Sequence, residues 1–323
     1  MCKLILFILN FIALPSVESP NSQQAEKITR LFNYFNIAAA GMILLISALV
    51  IYITFKYREK KGDTRQPSQN TGSFKLEAMM IGGPFLLLLF FFYETVTTEK
   101  SVLPSVEPNS KPDVIVIGHQ WWWEVQYPNA KVITANEVHL PVGRQILMEM
   151  RSADVIHDWW VPGLGNKMDM IPEVNNYLWL NINKAGRYEG ACSEFCGKQH
   201  AWMRIHVVAQ SEADYNKWLQ ANATAAAQPV DSLAIKGKTL FQTYTCAGCH
   251  RIGGTEAKAM VGPDLTHVAS RQYLLTGLLH TNEGNLYQWI NHPQQIKQGA
   301  YMPNFILNKD SVRALAHYLA QLK

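Results

Sequence analysis

Apolar residues follow three different rhythms along this chain. From Asn33 to Phe55 they run almost unbroken after Asn36, and a second run covers Leu76 to Tyr93, with Leu86–Phe92 free of polar groups. Each run is long enough as a helix to cross the ~30 Å hydrocarbon layer of a bilayer. Gly82, Gly83 and Pro84 fall inside the second, where a membrane helix tolerates them. From Lys111 to about Gln210 the rhythm changes to short β-branched and aromatic stretches: Val114–Ile117, Trp121–Tyr127, Arg144–Arg151, Asn176–Ile182 and Arg204–Ala209. Pro-Asn, Pro-Val-Gly and Lys-Ala-Gly separate them, which predicts a β-sandwich or barrel. Ser211-Glu-Ala-Asp214 reads as a capping box that opens a helix to about Leu219. After Ser232 the period becomes helical, over Leu233–Tyr244 and again in the stripe Val312, Leu315, Ala316, Leu319 behind a capping Asn308.

Two further stretches set the boundaries. Residues 1–19 hold Lys3, the apolar run Leu4–Leu14 and then small residues, the layout of a secretory signal. Residues 221–231, Ala-Asn-Ala-Thr-Ala-Ala-Ala-Gln-Pro-Val-Asp, lack bulky apolar groups and read as a linker. The expected organisation is therefore multidomain: a transmembrane α-helical hairpin with flanks (20–110, spans 33–55 and 76–93), an all-β domain (111–220), the linker, and an all-α domain (232–323).

Charge refines this picture. The chain has 323 residues and a net charge of +4, too diffuse to argue for nucleic acid. Lys56–Lys75, between the two apolar runs, holds six basic and two acidic residues, which places that loop in the cytoplasm and everything after Glu94 outside. Residues 232–323 carry nine Lys or Arg against four acidic groups, net +5, while residues 111–220 carry ten against twelve, net −2. A tethered pair of opposite sign attracts at close range, so the last domain is expected to visit the β-domain transiently.

The chemistry is carried by two cysteine pairs; the fifth cysteine, Cys2, lies ahead of the apolar core of the signal. Cys192-Ser-Glu-Phe-Cys196-Gly-Lys-Gln-His200-Ala-Trp-Met203 sets two thiols, an imidazole and a thioether at fixed offsets, with His157 upstream. Thiolate, thioether and imidazole together select copper. A disulfide leaves the His and Met unexplained, and zinc rarely recruits a thioether. Cys246-Ala-Gly-Cys249-His250 is the attachment signature of a c-type haem. Met302, in Tyr-Met-Pro-Asn-Phe before the last helix, supplies a sixth ligand; Met260, His267, His280 and His292 are its rivals.

These motifs resemble subunit II of cytochrome c oxidase in the form that carries a fused cytochrome c domain. The match covers nearly the whole chain from Leu31 on, including Val-Gly-Pro-Asp-Leu-Thr-His-Val at 261–268. The resemblance implies a Greek-key cupredoxin fold for the β-domain and a class I cytochrome c fold for the last one. It also implies a binuclear copper centre (CuA): Cys192 and Cys196 bridge both ions, His157 and Met203 complete one, and His200 with the carbonyl of Glu194 completes the other. The Glu194 side chain would face a magnesium ion at the boundary with subunit I, and carboxylate oxygen is a suitable ligand for it. Haem c would be held by Cys246, Cys249, His250 and Met302.

By the same resemblance the chain is an electron relay of an aerobic terminal oxidase in a bacterial inner membrane, with its metal domains on the periplasmic side. Its partners are subunit I, where oxygen is reduced to water with proton pumping, subunit III, an upstream cytochrome c or quinol-oxidising complex, and membrane lipid. Trp121, the first aromatic after His119-Gln120, corresponds to the electron port. Three consecutive Trp on a strand point alternately to both faces, so Trp121, Trp122 and Trp123 cannot all be core. Glu77, near the start of the second span, corresponds to the mouth of a proton path, although Met80 stands where the family has Trp. A copper and haem storage or assembly factor, and a relay to a nitrogen-oxide reductase, are the competing functions.

Overall fold

The computed structural model describes residues 20–58, 61–62, 72–103 and 110–323. The expected signal, residues 1–19, and most of the loop after Lys56 lie outside the described residues.

The two apolar runs form helices α1 (Gln23–Lys56) and α2 (Phe74–Val102). Both extend beyond the expected spans, because polar flanks such as Thr95–Lys100 continue the helical hydrogen bonding outside the apolar stretch. The helices run antiparallel: Tyr34 meets Phe90 and Phe35 meets Phe91 at ring distances of 6.1 and 6.0 Å, and Lys27 Nζ donates to the Ser101 carbonyl at 3.3 Å. Apolar side chains from Phe32 to Tyr93 stay exposed along them, as lipid-facing helices require. Glu77 lies in the first turn of α2 with its side chain exposed, and Pro84 is accommodated inside the helix.

The remainder forms a second compact unit. Its β-domain contains ten strands: β1 (Val114–His119), β2 (Trp122–Tyr127), β3 (Val132–Ala135), β4 (Glu137–Pro141), β5 (Gln145–Ser152), β6 (His157–Trp160), β7 (Met168–Met170), β8 (Asn176–Asn181), β9 (Gly186–Cys192) and β10 (Arg204–Gln210). They make two five-stranded sheets, ordered β3-β2-β1-β5-β8 and β4-β10-β9-β6-β7. The β1–β5 and β4–β10 pairs are parallel and the rest antiparallel, the crossed connectivity of a Greek-key sandwich. Alternation decides the packing. Val114 and Val116, then Trp123, Val125 and Tyr127, then Ile146, Met148 and Met150 point between the sheets and are almost fully buried. Strands β3, β4, β6, β7 and β9 were not legible in the sequence; they are short or carry polar groups that serve a site rather than the core.

Helix α3 (Glu212–Asn222) follows, with Ser211 capping it by accepting from the Asp214 amide. The last domain is built on α4 (Ser232–Thr243), β11 (Tyr273–Leu274), β12 (Leu279–His280), α5 (Glu283–Asn291), α6 (Pro293–Ile296) and α7 (Lys309–Ala320). Asn308 caps α7 by accepting from the Ser311 amide, and the predicted stripe Val312, Leu315, Ala316, Leu319 is buried against Phe241, Leu286 and Ile290. Helices α4 and α7 touch backbone to backbone at Gly237, where a Cβ would lie 2.1 Å from the Ala314 carbonyl oxygen.

The expected linker is not a free tether. Ala226 is buried in the last domain's core and its amide donates to the Gly253 carbonyl at 3.0 Å. The Thr224 carbonyl receives the His267 ring at 3.1 Å, and the Val230 amide reaches Gln321. Small side chains let this strand of backbone lie flat on the domain.

Gly237→Ala is expected to force α4 and α7 apart and cost about 1–3 kcal/mol, the usual toll of overpacking. Thermal unfolding followed at a haem band would report it.

Candidate metal centres

The first centre is made where β9 ends and β10 begins. Cys192 closes β9, and the loop to Met203 folds back as a short 3-10 turn at His200–Trp202. His157 opens β6, the neighbour of β9, and hydrogen bonding across that pair brings it alongside Cys192. The sulfurs of Cys192 and Cys196 stand 3.8 Å apart. His157 Nδ1 is 3.9 Å from the Cys192 sulfur, and His200 Nδ1 is 3.7 Å from that of Cys196. The Met203 sulfur lies 3.7 Å from Cys196 and the Glu194 carbonyl oxygen 3.2 Å from Cys192. His157, Cys192 and Cys196 form one buried cluster with all donor atoms within 4.8 Å. Every predicted donor of the first set is therefore convergent, and the chemistry, soft sulfur with imidazole in a dry pocket, fits copper.

The surroundings prepare these donors. The contact between the two sulfurs pushes the Cys192 thiol far down, with help from His157, and pushes Cys196 up. Copper binds the thiolate form, so metal binding releases the thiol protons. Burial works against a charged His157, but Asp154, whose Oδ1 is 2.8 Å from its Nε2, and the Cys192 sulfur together outweigh it and raise the imidazole. Asp154 also receives the amides of Gln120 and Val155 at 2.7 Å, so its position is fixed by three contacts. Glu194 itself is exposed, its carboxylate facing solvent.

The second centre is a cavity in the helical domain lined by Cys246, Cys249, His250 and Met302. The Nδ1 of His250 is 2.8 Å from the Pro263 carbonyl, which fixes the tautomer and leaves Nε2 for a metal. Gly262 presses on that ring so closely that a Cβ would come within 2.5 Å of Cε1. The rival ligands lie elsewhere: His267 is engaged with Thr224, His280 packs on Tyr273 at 4.8 Å, His292 meets the Asn291 amide at 2.8 Å, and Met260 does not line the cavity. A covalently held haem with His and Met on its two faces fits this arrangement.

The two centres share a wall. Gln120, Trp121 and Trp122 of the β-domain line the haem cavity. Trp121 sits in the turn between β1 and β2 rather than on a strand, and its indole donates to the Cys196 carbonyl at 2.9 Å. Tyr301 stacks over it at 6.0 Å and donates to Gln120 at 2.7 Å, while Lys297 Nζ donates to the Trp121 carbonyl at 2.6 Å. The expectation that the three Trp cannot all be buried is corrected: Trp123 fills the sandwich against Trp159, Trp122 stacks on His119 at 4.2 Å, and Trp121 is covered by the following domain. A second anchor runs the other way, since Glu137 of β4 accepts the amides of Gln272 and Tyr273 at 2.6 and 3.1 Å. Burial opposes its charge, but His139 and those two amides hold the carboxyl below its usual range. The domains are docked, not loosely tethered. The roles of Lys297, Tyr301, Asp154 and Glu137 were missed in the sequence; Asp154, three before His157, and Tyr301, next to Met302, sit close enough to a motif to have been suspected.

A family description, "Cytochrome C oxidase subunit II, periplasmic domain", matches residues 130–210, and one for cytochrome c matches residues 234–323. The chain is 33% identical over 315 residues to a cytochrome c oxidase subunit 2 of Alkalihalophilus pseudofirmus, covering 94% of this chain and 90% of that one. A second, from Bacillus sp. strain PS3, is 29% identical over 286 residues, covering 83% and 80%. Among solved structures, the periplasmic domain of subunit II of cytochrome oxidase from Bradyrhizobium japonicum is 31% identical, covers 36% of this chain and 96% of its own, and gives a TM-score of 0.34.

Asp154→Ala is expected to keep every metal donor yet weaken copper binding about 10–100-fold, the usual effect of losing the group that orients a ligating His. Competition against a copper chelator would measure it.

Proposed function

The chain belongs to the subunit II family of cytochrome c oxidase, oxidoreductases of the respiratory chain, and carries a cytochrome c domain; from that premise we propose that it passes electrons from its own haem through Trp121 to a binuclear copper centre and on to subunit I. The family implies copper and the cytochrome c domain implies haem c. Two helices able to span a membrane, joined to a periplasmic-domain family, make it a membrane protein with its metal domains outside.

On this reading Cys192, Cys196, His157, His200, Met203 and the Glu194 carbonyl would together hold the two coppers. The paired sulfurs with an Nδ1 on either side support it. Cys246 and Cys249 would hold the haem covalently, with His250 and Met302, which line the same cavity, as the residues offered to its iron. When bound, these groups supply outer-sphere electron transfer, in which one electron moves and no bond is made or broken. The chain's own part is to hold the donors rigid and dry, so that little rearranges as charge changes. Burial of His157, Cys192, Cys196 and Met203 meets that demand and tells against a storage factor, which must release its metal.

The observation that carries the proposal is the position of Trp121: it walls the haem cavity and hydrogen-bonds the backbone of a copper ligand. Oxygen reduction with proton pumping then belongs to subunit I, with subunit III beside it. The exposed Glu194 carboxylate is suited to a magnesium ion at that boundary, and Glu77 to the mouth of a proton path from the cytoplasmic side of a bacterial inner membrane. An upstream cytochrome c or quinol-oxidising complex would supply the haem.

The test is a full-length Trp121→Leu protein carrying copper and haem. Flash reduction of the haem should be followed by copper reduction in the parent and by a markedly slower one in the variant, with both optical spectra unchanged. Equal rates would remove Trp121 from the route. Metal analysis should give two coppers and one haem per chain, and Cys196→Ser should abolish the mixed-valence spectrum.

A further inference from the structure

Lys297 is a buried cation, 4% exposed, for which the electron route just described has not accounted. It follows α6 in the haem domain and lines the haem cavity, yet its ammonium group does not reach water. One proton goes to the Trp121 carbonyl at 2.6 Å and another to Thr276 Oγ1 at 3.2 Å. These two acceptors lead to opposite ends of the copper-ligand loop. Through Trp121 the contact reaches the Cys196 carbonyl. Through Thr276, whose hydroxyl donates to the Trp202 carbonyl, it reaches the residue before Met203.

The segment around Thr276 is held in an unfavourable backbone. Leu275 and Thr276 both have positive φ, 55° and 60°, followed by Gly277 at 100°. A β-branched residue in the left-handed region persists only where its surroundings over-determine it, and such residues gather at functional contacts. Here the surroundings are the Lys297 ammonium, the Trp202 carbonyl and the ring of His206, which packs under Gly277 and stacks on Tyr273 at 4.8 Å.

Resting on the electron route from haem to copper, we propose that Lys297 is the positioning residue of that route: it clamps Trp121 and the Trp202–Met203 turn in one geometry and, in its protonated form, places a positive charge between the haem cavity and the copper-ligand loop. A buried charge is costly unless it is hydrogen-bonded, and a neutral side chain would fill the space more cheaply. Burial drives the lysine's pKa down to about 7, so the charge is full below that pH and is lost above it, and the redox comparison belongs at pH 6. The positive charge favours whichever copper state holds one more electron, so it raises the copper potential and draws the electron across. Arg271, also on the cavity wall, is committed to the Asp264 carbonyl and does not duplicate the role.

The test uses the full chain with haem and copper in three variants. Lys297→Met keeps length and removes charge; Lys297→Arg keeps charge; Thr276→Val keeps the lysine and removes one of its anchors. Equilibrium redox titration should show the copper midpoint moved to lower potential in Lys297→Met and restored in Lys297→Arg, with Thr276→Val unshifted. The haem-to-copper rate should fall more than about tenfold in Lys297→Met, since misplacing a reacting pair by an ångström can cost ~100-fold. Hydrogen exchange at the Trp121 indole should quicken in Lys297→Met and in Thr276→Val. An unshifted copper midpoint together with an unchanged indole exchange in Lys297→Met would overturn the proposal. If Lys297→Met fails to fold, unchanged indole exchange and an unchanged rate in Thr276→Val would overturn it as well. The two readings separate cleanly: absence of any haem-to-copper transfer in the parent would sink the route, while the midpoint shift is measured at equilibrium and does not depend on it.

Discussion

The hydrogen bond from the Trp121 indole to the Cys196 carbonyl is the contact on which the arrangement turns. Electron transfer without bond making asks the protein for three things: short distance, little water and little motion. A tryptophan turned out of the end of a β-hairpin meets the first two only if something covers it, because an indole in solvent is wet and mobile. The haem domain provides the cover, with the Tyr301 ring on one side and Lys297 under the backbone. The sandwich holds Trp121 from below through the ligand loop, and the docked domain holds it from above.

Docking of this kind rests on a few desolvated groups. The charge count, +5 in one domain and −2 in the other, suggests a diffuse, salt-sensitive encounter. The structure concentrates the effect in two buried anchors of opposite sign, Lys297 reaching into the β-domain and Glu137 receiving amides from the haem domain. Buried pairs of this sort are screened far less than surface charges. Most of the remaining charge is exposed and contributes solubility more than adhesion.

What the sequence disclosed follows from how local each signal is. The donors Cys192 to Met203 fall within one loop, and Cys246 to His250 within one turn, so spacing marked them as candidates and the resemblance supplied their roles. Helix caps at Ser211 and Asn308 were legible for the same reason, since a cap is a contact between residues three apart. Strand β9, Gly-Arg-Tyr-Glu-Gly-Ala-Cys, was invisible because its Gly and charged residues suit neither an apolar run nor a clean alternation; only its pairing with β10 and β6 makes it a strand. Lys297 and Glu137 were beyond reach, since their meaning lies in partners 176 and 135 residues away. The same holds for Ala221–Asp231: its composition reads as a tether, but the surface beneath it decides that it lies flat.

The burial of the two thiols bears on the order in which such a protein is put together. Cys192 and Cys196 are 5% and 2% exposed, and on one side they are roofed by Trp121 and the docked domain. Between the two cysteines the loop has an exposed face, with Phe195 76% exposed and Glu194 exposed beside it. A protein that hands over copper would meet that face. On the reading that Glu194 also marks the boundary with subunit I, delivery and partnership would draw on one patch of surface, and the metal would go in before the partner covers it.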